Sequence, residues 1–351
     1  VRLCREVLAG GRPVRGIVVN SGNANACTGE QGLSDARRMR ALAAEALHSS
    51  EEAVFVCSTG RIGEPLPMER IGHGIAAAAG NLSTEEDSGL LAADAILTSD
   101  TRRKVATYRL DTPAGPVTLA GMAKGAGMIE PDMATMLAFL TTDADVERTF
   151  LQELLREAVD CSFNRITVDG DASTNDSVLL LANGASGLSV VRESESATAF
   201  KEALEALCQD LALMIVGDGE RTTKVVEIRV SGASSEDDAR RAGRAVANSL
   251  LVKSSWFGND PNWGRIMDAL GYSGALLDEQ SVRIAYGDWE SGPAVEAFAQ
   301  GRVLTGNRAA WKSMVAADRF RIEIDLGKGA ASYRIWSTDL TEGYVNFNKS
   351  E

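Results

Sequence analysis

One threonine of this chain lies where loop composition changes to core composition. Residues 124–140, KGAGMIEPDMATMLAFL, begin with glycines and a proline and continue through Ala134 and Thr135 into an apolar run. A threonine hydroxyl becomes a useful nucleophile when a neighbouring base takes its proton, and a free α-amino group on the same residue can be that base. An α-amino group has an ordinary pKa of about 7.7–8.0, so a useful fraction is unprotonated near pH 7. Cleavage before Thr135 would therefore activate it.

Composition alone leaves two interpretations of this junction open. In the first, the stretch is an ordinary loop that leads into a buried strand. In the second, the chain cleaves itself between Ala134 and Thr135, which requires a small preceding residue and a strained backbone. The glycines permit unusual backbone angles, and Pro131 makes the approach rigid.

The chain has few residues that could form other catalytic or cofactor-binding arrangements. The chain has only two histidines, His48 and His73, and both are typical of surface or helix-end positions. A Ser-His-Asp or Cys-His arrangement is therefore disfavoured. The polar stretch at residues 169–176, DGDASTND, lacks the spacing and the terminal glutamate of an EF-hand, so we predict a structural loop there and no metal site. The glycine-rich residues 125–131 match neither nucleotide-binding motif, and we expect no cofactor.

Composition narrows the class of protein. A length of 351 residues favours two lobes or domains, and 44% hydrophobic with 24% charged residues is typical of a globular chain. The net charge of -13 disfavours nucleic acid or an anionic membrane as a partner, and small-molecule substrates fit better. Five cysteines without a CxxC pair indicate reduced thiols. No apolar run is long enough to span a membrane, so we predict a cytoplasmic protein.

The first half of the chain repeats a strand, a loop and a helix. Residues 17–19 predict a buried strand followed by a polar loop, and Ser34 is the predicted N-cap of the next helix. The strand AVFVCSTG repeats this plan, with a helix after Pro67. A third helix ends in a polar turn near Thr98, and two strands around residues 113–116 predict a hairpin.

The second half of the sequence predicts further strands and helices. A strand follows Thr135, and two more are predicted around the polar loop of residues 169–176. A helix is predicted from Ser194 to about Met214, and residues 236–258 predict a helix followed by a strand. Three alternating strands near the end are typical of an antiparallel sheet with one wet face. We therefore predict an α/β or α+β fold with mixed sheets.

The stretch AKGAGMIEPDMATMLAF resembles the processing site of the ornithine acetyltransferase family, also called bifunctional glutamate N-acetyltransferase. Further stretches resemble motifs of that family, in the same order and over nearly the whole chain. These are VVNSGNANACTG, CSTGRIGEPLPM, AILTSDT, FNRITVDGDASTNDS, GDGERTTK, VKSSWFGNDPNWGRI and DLTEGYVNFN.

The resemblance implies a two-lobed, layered α/β sandwich with mixed sheets, like that of N-terminal-nucleophile enzymes. It implies self-cleavage between Ala134 and Thr135. The product of residues 1–134 would be the N-terminal lobe with the oxyanion and processing loops. Residues 135–351 would carry the nucleophile strand, a central lobe and a C-terminal antiparallel lobe. Two copies of each product would form a heterotetramer. The implied reaction belongs to arginine biosynthesis: Thr135 takes an acetyl group from N-acetylornithine and passes it to glutamate, with acetyl-CoA as an additional donor in bifunctional members.

The resemblance also implies roles for other residues. Thr59 and Gly60 match the pair that stabilises the oxyanion. Positions that match substrate contacts are Thr98, Lys124, Thr135, Glu220 and Asn348. Lys124 would meet a substrate carboxylate, and Glu220 an amino group. The residues alone favour a plain turn for Thr59 and Gly60 and a loop charge for Glu220.

The sequence departs from the family pattern in places. Arg61 stands where a small or apolar residue is usual, and an N-terminal portion and a C-terminal substrate threonine are expected to be missing. Two other functions stay open. One is a related amidohydrolase or aminopeptidase that transfers the acyl group to water, and the other is an uncleaved, non-catalytic relative.

Overall fold

The computed structural model describes residues 1–112, 115–130, 136–289 and 292–349. Ala134 and Thr135 lie outside the described residues, and so does Pro131. The chain divides into two compact units. Unit 1 comprises Val1–Met128, Asp132–Asn164 and Ala172–Leu211, and unit 2 comprises Ile129–Pro131, Arg165–Asp171 and Ala212–Glu351. The boundaries of the two units follow from how the residues pack. The division into residues 1–134 and 135–351 concerns cleavage and stays a prediction.

Unit 1 is built from two main sheets and flanking helices. Its strands are β1 (Gly16–Asn23), β2 (Val54–Arg61), β3 (Lys104–Thr112), β4 (Gly115–Lys124), β5 (Leu137–Thr142), β6 (Asp145–Val146), β7 (Ser177–Ala182) and β8 (Ser189–Val190). Its helices are α1 (Arg2–Ala9), α2 (Gly29–Ala46), α3 (Met68–Gly80), α4 (Glu86–Ala95), α5 (Arg148–Cys161) and the larger part of α6 (Glu195–Val216). β1 pairs with β2 in parallel, and a second sheet has the order β3-β4-β5-β7. In that second sheet only β5 and β7 are parallel.

Alternating side chains pack these two sheets together. Phe55 and Cys57 of β2 share one apolar cluster with Leu137 and Phe139 of β5. Each pair is spaced by two residues, so it points to one face of its strand. On the opposite face of β2, Val54 packs against alanines of α2. The β1–β2 sheet therefore lies between a helix and the four-stranded sheet, which is the layered arrangement expected from the resemblance.

Unit 2 is a mixed sheet covered by helices. Its strands are β9 (Val225–Ala233), β10 (Arg283–Asp288), β11 (Val295–Ala299), β12 (Arg302–Val303), β13 (Arg319–Asp325) and β14 (Ala331–Thr338), in the order β12-β11-β10-β13-β9-β14. Its helices are α7 (Glu236–Asn248), α8 (Leu250–Phe257), α9 (Trp263–Tyr272), α10 (Arg308–Val315) and α11 (Glu342–Phe347). β13 and β9 are parallel, whereas the other described pairs are antiparallel. The three alternating strands predicted near the end of the chain are β10, β13 and β14.

The structure confirms the mixed α/β class, the β3–β4 hairpin and the helix after Pro67. The prediction of Ser34 as an N-cap is wrong because α2 already begins at Gly29. Asn25 organises that earlier start: its side chain accepts a hydrogen bond from Thr28 Oγ1 at 2.7 Å and donates to Gly32 O at 2.8 Å.

Two strand predictions in the second half are also wrong. The apolar run at residues 250–257 is the helix α8, and the Ser249 side chain caps its start by accepting from Val252 N. Before the polar loop, only Ile166 forms an isolated bridge, to Trp336, in place of a strand. Among the described residues, no helix is both long and apolar enough to cross a membrane.

Candidate active site

Gly60 ends the regular part of β2 in a conformation that other residues rarely adopt. Its φ is +130°, and in the parallel register it lies beside Gly22 of β1. A Cβ atom at Gly60 would lie 2.2 Å from the Gly22 carbonyl carbon, far inside van der Waals contact. Glycine is therefore required for two reasons: the backbone angle and the close approach of the neighbouring strand.

Thr59 is buried beside a lysine that ends strand β4. Thr59 and Lys124 are each 2% exposed. Lys124 Nζ donates to Thr59 Oγ1 at 2.9 Å. An ammonium group has only donors, so the threonine oxygen accepts and its own O–H is available as a donor to a third group. The structure thus brings Thr59, Gly60 and Lys124 together in unit 1.

Asp100 connects Thr98 to this group. Asp100 Oδ1 accepts from Lys104 Nζ at 2.6 Å and from Gly125 N at 2.7 Å, and Oδ2 accepts from Thr98 N at 3.1 Å. Burial by itself would raise the pKa of Asp100, but the charges of Lys104 and Lys124 hold it below its usual value. An ionised Asp100 therefore anchors both the turn that carries Thr98 and the backbone directly after Lys124.

The residues that follow Thr135 are tied to the same region of unit 1. Leu137 lies opposite Lys124 in the β4–β5 register. Met136 N donates to Asp176 Oδ1 at 2.7 Å, and Asp176 is 8% exposed. Burial raises the pKa of Asp176 to about 7, although the Met136 amide and the Lys124 charge oppose the shift. Asp176 Oδ2 has no hydrogen-bond partner among the described residues.

Sequence reasoning missed Asp100 and Asp176. Their hydrogen-bond partners at Gly125 and Met136 lie 25 and 40 residues away along the chain, so neither local spacing nor composition marks them. The one available signal was the position of each acid in a polar stretch, TSDT for Asp100 and DASTND for Asp176. In the structure, the Asp100 carboxylate accepts from the amide of Thr98, two residues earlier.

Glu220 and Asn348 belong to unit 2, and there they lie together. Asn348 Nδ2 donates to Glu220 Oε2 at 3.2 Å. Thr341 holds the start of α11, since its Oγ1 accepts from Tyr344 N at 3.0 Å and donates to Arg221 O at 2.7 Å. The helix that leads to Asn348 is thereby fastened next to Glu220. The catalytic role predicted for Thr135, and the cleavage after Ala134, fall on residues outside the described part of the chain.

Other sequence predictions concern surfaces and loops. His48 and His73 are both exposed. Arg61 is also exposed, with 73% of its side chain accessible, and pairs with Glu64 at 3.7 Å. The polar loop at residues 169–176 has structural contacts, for example that of Asp176 with Met136, the residue before strand β5. In the described ranges, no group of three histidine, cysteine or acidic side chains is arranged to hold a metal ion.

Comparisons with known proteins agree over most of the chain. The model of the ArgJ family matches residues 1–350. The arginine biosynthesis bifunctional protein ArgJ of Symbiobacterium thermophilum is 48% identical over 355 residues, covering 100% of this chain and 86% of the relative. The glutamate N-acetyltransferase of Methanopyrus kandleri is 45% identical, covering 95% and 84%. A crystal structure of the arginine biosynthesis bifunctional protein ArgJ from Bacillus halodurans is 35% identical with a TM-score of 0.57, covering 61% of this chain and 98% of that one.

Proposed function

The chain belongs to the ArgJ family of glutamate N-acetyltransferases, and on that premise we propose that it moves an acetyl group from N2-acetyl-L-ornithine to L-glutamate through an acetyl ester on Thr135. The observation that carries the proposal is the buried hydrogen bond between Lys124 Nζ and Thr59 Oγ1, 2.9 Å long, at the end of the strand that pairs with Leu137. Oriented donors and a buried positive charge thus lie near the residues that follow Thr135.

The first step is self-cleavage. The Thr135 hydroxyl adds to the carbonyl carbon of Ala134, the C–N bond breaks and an ester forms. Breaking that bond leaves a free α-amino group on Thr135, and water then hydrolyses the ester, which releases residue 134 as a carboxylate and restores the Thr135 hydroxyl. In each later turnover that amine takes the hydroxyl proton as the oxygen attacks the acetyl carbonyl. Ornithine leaves with a proton, and the amine of glutamate then attacks the ester and regenerates Thr135.

Thr59 and Gly60 stabilise the negatively charged intermediates of these steps. Each attack creates a negative oxygen, and donors held in advance stabilise it without reorganisation. The Thr59 O–H is available for this because its oxygen already accepts from Lys124. Neighbouring hydrogen bonds polarise one another, so the Lys124 charge strengthens the donor that Thr59 offers. The Gly60 N–H would be the second donor.

Residues of unit 2 are proposed to select the substrates. Glu220 carries a negative charge that suits the amino group of ornithine or glutamate, and Asn348 fixes its carboxylate by a hydrogen bond of 3.2 Å. Thr98 would add a substrate contact in unit 1. Acetyl-CoA as a second donor, and a heterotetramer of two copies of each cleavage product, complete the proposal.

The test is Thr135→Ala with Thr141→Ala as its matched control, since Thr141 is an exposed threonine on β5. The Thr135 variant should stay a single chain of 37.2 kDa and transfer no acetyl group. The control should split and transfer normally. Transfer by Thr135→Ala at the control rate would refute the nucleophile. Release of acetate without acetylglutamate would instead support the amidohydrolase, and a wild-type chain that never splits would support the non-catalytic relative.

A further inference from the structure

Two consecutive residues of the loop before β7 make contacts that the proposed mechanism does not use. Asn175 Nδ2 donates to Ser58 O at 2.8 Å and also to Ala24 O. The Ser58 carbonyl belongs to the peptide bond that leads into Thr59. Asn175 therefore holds the backbone of β2 immediately before Thr59, the proposed oxyanion donor.

Asp176, the next residue, bonds to the backbone of Met136, which follows Thr135 in the chain. Asp176 Oδ1 accepts from Met136 N at 2.7 Å, and this nitrogen belongs to the peptide bond that follows Thr135. Ser177 N adds a backbone bond to Met136 O at 3.1 Å. One short loop therefore bonds to both the nitrogen and the carbonyl oxygen of Met136, the residue that follows Thr135.

Consecutive Cα atoms are about 3.8 Å apart across a trans peptide, so both sets of contacts start from neighbouring points on one loop. We propose that Asn175 and Asp176 are positioning residues for acetyl transfer, which together set the separation between the oxyanion donors and the nucleophile. The inference rests on the proposed function of Thr135 and adds the device that aligns it with Thr59.

The carboxylate at position 176 is difficult to explain by stability alone. Asp176 is 8% exposed, and its Oδ2 has no hydrogen-bond partner among the described residues. A buried polar atom without a partner costs free energy, so a residue chosen only for packing would omit it. Asn175 differs, because its amide bonds to Ser58 and Ala24 while its Oδ1 accepts from Thr174 Oγ1 at 2.6 Å. A fully bonded amide is well suited to hold a backbone in one position.

The experiment compares Asn175→Ala, Asp176→Ala and Asp176→Asn with the control Asp143→Asn. Asp143 also uses a carboxylate oxygen to hold a strand amide, Thr118 N at 2.7 Å, but away from the site residues. The readouts are kcat and KM for transfer from N2-acetylornithine to glutamate, the fraction of cleaved chain, and the thermal midpoint. Asn175→Ser serves in place of Asn175→Ala if that variant does not fold.

Both alanine variants should lose about 10²-fold in kcat, the usual effect of a displacement near 1 Å, with KM changed less than about twofold. Asp176→Asn should recover at least about tenfold over Asp176→Ala, because an amide oxygen can still accept from Met136 N. The control should keep the wild-type kcat. Alanine variants with wild-type kcat, or an Asp176→Asn variant as slow as Asp176→Ala, would overturn the proposal. If Thr135→Ala itself retained transfer, the proposed function would fail instead, so the two failures are distinguishable.

Discussion

Replacing Thr59 with valine removes one hydroxyl and keeps the approximate volume of the side chain. Thr59 is 2% exposed, so water cannot take the place of the lost group, and Lys124 loses the acceptor at 2.9 Å. A hydrogen bond to a charged group contributes about 1.5–3 kcal/mol, which is the expected decrease in the free energy of unfolding. Loss of one oxyanion donor costs about 2.7–4 kcal/mol in the transition state, or about 10²–10³-fold in kcat.

The loss should appear in kcat and leave KM nearly unchanged, because the oxyanion exists only along the reaction path. The assay is acetyl transfer to glutamate on purified, cleaved protein, with unfolding followed in urea. Thr142→Val is the matched control. Thr142 is a buried threonine of the same unit, 4% exposed, whose Oγ1 accepts from Ala144 N at 3.2 Å. It should lose stability but keep kcat. A Thr59→Val variant with the kcat of the control would remove Thr59 from the oxyanion role.

Two further predictions concern stability. Gly60→Ala should lower the free energy of unfolding by more than about 2 kcal/mol. Gly63→Ala is the control: Gly63 has φ +84° and nothing within 4 Å of an added Cβ, so it should show only the cost of the backbone angle, about 1–2 kcal/mol. Equal losses in urea unfolding would contradict the close contact of Gly60 with Gly22. Burial lowers the pKa of the fully buried Lys253 from 10.5 to about 8. The unfolded chain then binds more protons between about pH 8 and 10.5, so this residue makes the free energy of unfolding rise with pH there, by about 1.4 kcal/mol per unit. Lys253→Met should lack that rise, and wild-type and variant curves of equal slope between about pH 8.5 and 9.5 would disprove it.

The sequence predicts the parts of the site that are encoded locally. A strand that runs into STG identifies the end of β2, and the hairpin signal identifies the strand that ends at Lys124. Why residue 60 must be glycine is not visible locally, because the reason is the parallel register that sets Gly60 against Gly22. From composition, a turn glycine and an oxyanion glycine have the same pattern.

The missed and mistaken assignments have physical causes of two kinds. Asp100 and Asp176 are acids in polar turns, and a solvated acid would have the same sequence pattern as these buried ones. Their burial and their partners arise only when distant strands meet. The sequence predicts a strand where the structure has the helix α8, because a short apolar run has no distinctive period.

The packing of unit 1 and the geometry of its site have one origin. Phe55 and Cys57 face the four-stranded sheet, and two residues further along the same strand face lies Thr59, at the point where the apolar cluster ends. On the facing sheet, Met122 packs on that cluster, and Lys124 follows two residues later. The alternation that buries the core therefore also directs the hydroxyl and the ammonium group at one another. The strands that form the core of unit 1 therefore also carry the residues of the candidate site.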